Sequence, residues 1–251
     1  MTVPTSLTNR WIRRHLPVGD PRVRLLCFPH AGGTASFFRS WPKHVPADTE
    51  VLSLRYPGRE DRLNEPFIDT MEPLADAIAD ALPALLDRPL AFFGHSMGAS
   101  IAHEVAVRLE ARHGFTLHRL MVSARPAPQL LPAYDFDLEN DEALVADVRR
   151  LDRNSGAILD DPDLRGLVLP AIRADYSLVS DYQPQDVRTV ESPITAYVGD
   201  ADPEVSTADV AGWKAVSPAG FRFRVFDGGH FYLVPHEKAL VADVAGQLRQ
   251  D

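Results

Sequence analysis

Six short apolar runs, at 23–28, 50–56, 90–94, 119–123, 194–198 and 221–226, recur along the chain with helical periodicity between them. Each reads as a strand. Only the last, FRFRVF, alternates cleanly; the others are nearly continuous, the pattern of strands in a parallel sheet covered on both faces. Between them, Leu74, Ile78, Leu82 and Leu85 keep one helical stripe, Met97, Ile101, Val105 and Leu109 a second, and Leu240, Val244 and Leu248 a third. Strand and helix in alternation limit the chain to an α/β fold, with a mostly parallel central sheet, helices on both faces and functional groups at the carboxyl ends of strands.

The alternation stops from about 127 to 191, too long a stretch for an ordinary connection. Asp160, Asp161 and Asp163 mark a helix start there, followed by Leu164, Leu167, Val168, Ile172, Tyr176 and Val179 on roughly one face. The expectation is a single domain over 1–251 carrying a helical lid insertion at about 127–191, with Pro170 bending or breaking the longer helix.

Chemistry concentrates at Phe93-Gly94-His95-Ser96-Met97-Gly98, a G-x-S-x-G motif set between a strand and an amphipathic helix. That context marks the nucleophile elbow of an α/β-hydrolase, where glycines let the chain turn sharply and lift the serine hydroxyl towards substrate. A serine needs a base and a carboxylate, which follow it in the order serine, acid, histidine in this architecture. His230 satisfies the order, presented by the turn Asp227-Gly228-Gly229, while His236 reads as opening the last helix. Two carboxylates compete for the acid: Asp200, nearer the strand end, and Asp202, which Pro203 biases towards an extended or turn conformation. For an oxyanion hole the amide after the nucleophile, that of Met97, pairs with one from the early loop Phe28-Pro29-His30-Ala31-Gly32-Gly33, where Ala31 is the choice.

Other classes fall away. The net charge of −9 opposes nucleic-acid binding, no run reaches the roughly 18 apolar residues of a membrane span, and no signal-peptide pattern opens the chain. A single cysteine, Cys27, cannot form an internal disulfide, so a cytoplasmic location is expected. No H-E-x-x-H, paired-cysteine or Walker pattern is found, so neither metal nor cofactor is expected.

With those residues in hand, the chain resembles the type II thioesterases, freestanding editing hydrolases of polyketide and nonribosomal peptide synthases. The likeness rests on LLCFPHAGG at 25–33, RYPGRE at 55–60, FFGHSMG at 92–98, SARPAP at 123–128, GDADP at 199–203 and FDGGHFYL at 226–233. It implies Ser96, Asp202 and His230 as the triad, Ala31 and Met97 as oxyanion donors, and hydrolysis of acyl groups, often aberrant ones, from the phosphopantetheine arm of acyl or peptidyl carrier proteins. Carrier proteins are typically acidic, so weak, transient docking would use a local basic face. Arg10, Arg13 and Arg14, or Arg55, Arg59 and Arg62, are the candidates, with internal ion pairing as the competing reading. The start at Met1 without an upstream carrier domain is what a separate hydrolase would show. A chain-releasing thioesterase or cyclase and a small-molecule carboxylesterase share the same triad. A non-catalytic binding fold would have no need of all three groups.

Overall fold

The computed structural model describes residues 5–151 and 158–249. Among them a seven-stranded sheet runs in the order β1-β3-β2-β4-β5-β6-β7. The strands are β1 (Ile12–Arg14), β2 (Val23–Phe28), β3 (Thr49–Leu54), β4 (Leu90–His95), β5 (Arg119–Ser123), β6 (Ile194–Gly199) and β7 (Phe221–Phe226). All neighbours pair in parallel except β1, which lies antiparallel along β3. This is the mostly parallel α/β sheet that the periodicity requires. The six expected strands are present to within two residues at each end, and β1 is an addition. With three residues, two of them arginine, it carries no apolar signal of its own.

The continuous apolar runs follow from cover on both faces. Successive residues of β2 divide between two cores: Leu26 and Phe28 pack on one side, Val23, Leu25 and Cys27 on the other. In β4, Leu90 and Phe92 likewise oppose Ala91 and Phe93. Period-two side-chain geometry forces this division, and a strand apolar at every position can satisfy it only where helices lie above and below. With α1 at Thr5–Trp11 and α6 at Thr207–Ala211, the first core takes in α2 (Met71–Ala81) and α3 (Met97–His113), and the second is closed by α7 (Glu237–Gln247). β7 is the exception, an edge strand with Phe223 and Val225 exposed.

Between β5 and β6 lies the helical insertion. It contains α4 (Asp141–Leu151) and α5 (Pro162–Asp181) and its own small core of Leu144, Val145, Leu159, Leu169, Ile172 and Tyr176. Asp161 caps α5, its carboxylate accepting the Asp163 and Leu164 amides at 2.9 and 3.2 Å. Of the two outcomes expected at Pro170, a bend or a break, the break does not occur: α5 continues through it. The carbonyl that its missing N–H leaves free belongs to Gly166, and both residues are exposed, so that carbonyl is not buried without a partner.

Candidate active site

Strand order decides which loops meet at the carboxyl edge of the sheet. β4, β5 and β6 are adjacent and β7 follows, so the turns after β4, β6 and β7 converge. Ser96 sits in the first, at φ 53° and ψ −124°, a backbone conformation that L-residues rarely adopt. Its amide donates to the Ser123 carbonyl at 2.8 Å, and its own carbonyl accepts the Ala99 amide at 2.9 Å, which pins the turn at both ends. A side chain at Gly98 would place its Cβ 2.2 Å from the Phe28 carbonyl oxygen, so glycine there lets the start of α3 lie against the loop after β2.

His230 follows β7. Its Nε2 lies 3.0 Å from Ser96 Oγ and its Nδ1 2.9 Å from Asp202 Oδ2. The other oxygen of Asp202 accepts the amides of Glu204 and Val205 at 2.9 and 3.2 Å, so the carboxylate has one face left, and that face meets the imidazole. A carboxylate only accepts, hence Nδ1 carries the ring proton and Nε2 is left to accept from the serine hydroxyl. The side chains of Asp202 and His230 are 0% and 1% exposed, whereas Ser96 is half-buried. Asp200, the competing carboxylate, is exposed and accepts the Gly228 amide at 2.9 Å, while the ring bonds Asp202. It binds the acid turn to the histidine turn. Gly199 serves the same approach, since a Cβ there would lie 2.2 Å from the Gly228 carbonyl oxygen.

Beneath the serine runs a buried polar chain that sequence reasoning did not assign. His95 Nδ1 is 2.9 Å from Ser123 Oγ, which is 2.6 Å from the Tyr232 hydroxyl. Burial, with His230 and His30 near by, pushes the His95 pKa well below the ordinary histidine value, so it stays neutral. Ser123 and Tyr232 stand inside the SARPAP and FDGGHFYL stretches, which was the available signal. Arg125 of SARPAP is buried as well, its Nε donating to Ser100 Oγ at 2.8 Å and its Nη1 to the Tyr134 hydroxyl at 3.2 Å, which joins the start of α3 to the insertion.

Ser96, His230 and Ala31 open onto one cavity of about 530 Å³. Val148, Leu159, Val168 and Ile172 of the insertion form one wall; Phe37 and Phe231, from the segments after β2 and β7, form the other. The lining therefore comes from the insertion and from the loops of the sheet together. Its apolar character suits a hydrocarbon chain, and Ser96 and His230 stand among its few polar groups. Ala31 stands on its wall, and Met97 opens α3, where a first-turn amide has no helical carbonyl behind it to bond.

The arginines considered for docking are each paired with a carboxylate of the chain. Arg10 and Arg62 pair with Glu65 at 2.8 and 2.6 Å, Arg13 with Glu60 at 3.1 Å, Arg14 with Glu50, Arg55 with Asp61, and Arg59 with Asp175 at 2.7 Å. Arg59 and Arg62 are buried, the latter over the Trp11 ring. Of the two readings of these clusters, the structure follows the internal one. Among the described residues no cluster of histidine, cysteine and carboxylate side chains is arranged to hold a metal, and no helix is long and apolar enough to cross a membrane.

A family profile described as a thioesterase domain matches residues 23–248. The thioesterase PikA5 of Streptomyces venezuelae is 40% identical over 239 residues, covering 95% of this chain and 85% of that protein. Among solved structures, the type II thioesterase BorB from the borrelidin biosynthetic cluster superposes with a TM-score of 0.89 at 38% identity, over 95% of this chain and 98% of that one. RedJ, a thioesterase from the prodiginine biosynthetic pathway in Streptomyces coelicolor, superposes with a TM-score of 0.83 at 36% identity, over 92% and 88%.

Proposed function

The chain belongs to the thioesterase domain family as a type II thioesterase, and from that premise we propose that Ser96, Asp202 and His230 hydrolyse acyl groups from the phosphopantetheine arm of carrier proteins. The carrier protein is a transient partner, and the acyl chains removed are those a polyketide or nonribosomal peptide synthase cannot extend. One observation carries the reading: a serine, an imidazole and a carboxylate in hydrogen-bonded series at the mouth of an apolar cavity.

In the forward step the Ser96 hydroxyl attacks the thioester carbonyl while His230 Nε2 takes its proton. Asp202 stabilises the imidazolium so formed and remains ionised. Negative charge that gathers on the carbonyl oxygen is met by the amides of Ala31 and Met97, each worth roughly 3 kcal/mol in the transition state. The tetrahedral species collapses by breaking the C–S bond, and the departing sulfur takes the proton from His230. Water, deprotonated by the same nitrogen, then attacks the acyl-serine and releases the free acid. The chain acts as one domain, with the insertion near 127–191 as its lid, excluding bulk water from the acyl-enzyme.

A hydrolysis panel tests this. Acyl thioesters on carrier protein, on coenzyme A and on a short thiol are compared with matched oxygen esters, and Ser96 is labelled with a fluorophosphonate. Preference for the carrier-linked thioester with labelling at Ser96 is the expected result. Equal rates on the carrier and the short thiol would remove the carrier protein from the reading, and unlabelled Ser96 would remove the mechanism.

A further inference from the structure

The loop after β2 is irregular backbone, yet an oxyanion donor must be aimed to within about half an ångström. What holds it comes from outside. On the near side of Ala31, the Tyr56 hydroxyl donates to the Pro29 carbonyl at 3.2 Å. On the far side, the Gly32 amide donates to Asp175 Oδ2 at 2.7 Å, and Arg59 Nη1 donates to the Gly33 carbonyl at 3.2 Å. Arg59 and Asp175 also grip each other through two parallel bonds of 2.7 and 2.8 Å. Asp175 lies on α5, three residues beyond Ile172, whose Cγ1 would be 2.7 Å from a Cβ at Gly32, so one face of α5 lies directly on the loop. Gly32, at φ 73°, admits that approach.

The pair is not explained as ordinary stabilisation. Its side chains are 8% and 7% exposed, and a buried ion pair is often no better for stability than apolar residues of the same volume. Besides each other, Arg59 and Asp175 bond two successive residues of a single loop, Gly32 and Gly33. Arg59 stands in RYPGRE, a stretch to which the serine, histidine and acid assign no part.

We propose that Arg59 and Asp175 are positioning residues that fix the loop at Gly32 and Gly33 and so aim the Ala31 amide, making the second half of α5 part of the oxyanion frame. This rests on the reading of Ala31 as an oxyanion donor. Loss of the Asp175 carboxylate strands the Gly32 N–H and frees the loop beside Ala31, without touching Ser96, His230 or Asp202.

The decisive variant is the double substitution Arg59→Met with Asp175→Leu, which replaces the pair by apolar side chains of similar bulk. Measured are kcat and KM on a short acyl thioester, the rate of Ser96 labelling by a fluorophosphonate, whose phosphoryl oxygen enters the oxyanion hole, and the thermal midpoint. The expected result is a fall in kcat of about 100-fold with KM little changed and labelling slowed in parallel, in a protein that still melts cooperatively with a midpoint lowered by the stranded Gly32 N–H and Gly33 carbonyl. Parent-like kcat and labelling in the folded double variant would overturn the proposal, as would a loss confined to KM. Should the double variant not fold, Asp175→Asn decides: its amide oxygen still accepts from Gly32 but loses the charge-assisted grip, and a kcat lowered about tenfold at constant KM is expected, against no change. A parent protein whose Ser96 does not label defeats the reading of Ser96 instead, so the two failures are told apart.

Discussion

The sheet and the insertion use the same aliphatic residues under different constraints. Every residue of β2 through β6 is buried, and each strand serves two cores at once. In the insertion, α4 buries only Leu144 and Val145 among its described side chains, Leu164 and Leu167 of α5 stand in solvent, and the local core is six residues. A side chain packed on all sides holds the backbone beneath it to one geometry; one packed on a single side leaves room for adjustment. The proposed reacting groups hang from the first kind of structure and one wall of the cavity from the second. α5 crosses the division: its second half, through Leu178 and Val179, joins the main core, and through Ile172 and Asp175 it meets the loop after β2.

The strongest test of this division is at the sheet crest. Ser96→Ala should lower kcat by about 10⁶-fold and Asp202→Asn by about 10⁴-fold, measured by thiol release at unchanged fold. Asp200→Asn should leave turnover intact and weaken only the turn, by about 1 kcal/mol. A loss with Asp200→Asn as large as with Asp202→Asn would reverse the acid assignment.

Next in size is packing. Phe92→Ala removes a fully buried ring from the sheet and should lower global stability by about 3–5 kcal/mol in denaturant titration. Leu144→Ala, in the small core, should raise hydrogen exchange in α4 and α5 while moving the global midpoint far less. Equal midpoint shifts would show that sheet and insertion unfold as one unit.

Selectivity comes third. Val168→Trp fills the insertion side of the cavity, so kcat/KM on long acyl chains should fall by about 10-fold or more while short chains react as before. A uniform loss on all chain lengths would place Val168 in the frame of the site rather than in the acyl wall.

The smallest effect is in pH. Burial lowers the pKa of His95 and of His103 in the folded state, so both resist protonation that the unfolded chain accepts near 6.5. Their contribution to stability is therefore complete above pH 6.5 and declines as the pH falls below it, by up to about 1.4 kcal/mol per unit for each group. Neither lies in the insertion, which has no histidine from 127 to 191. Acidification from pH 7.5 to 5.5 should thus lower the midpoint in pH-dependent melting, and His103→Gln should reduce the slope, leaving the share that belongs to His95; a slope unchanged by the substitution would remove His103 from this account.

Much of this was legible in residue order. Strand positions could be read because a parallel sheet buries both faces, and the serine turn because glycines at fixed offsets surround it. β1 was not legible, being a short charged segment made a strand only by the edge of β3. Continuity of α5 through Pro170 was also hidden, since it depends on which side of the helix faces water. The arginine clusters stayed open between docking and internal pairing for a related reason: a sequence shows a charge but not the carboxylate folded against it.

Local chemistry is what the residue order alone determined: where strands and helices begin, which serine stands at a tight turn, and in what order acid and base follow. Tertiary structure decided which distant groups meet. His230 lies 134 residues from Ser96 and Asp175 lies 116 from Arg59, separations that close only through strand order and the seat of α5. The physical reason is one of range. Backbone sterics and side-chain periodicity act over a few residues, whereas a hydrogen bond between remote loops depends on how a whole sheet is stacked and covered.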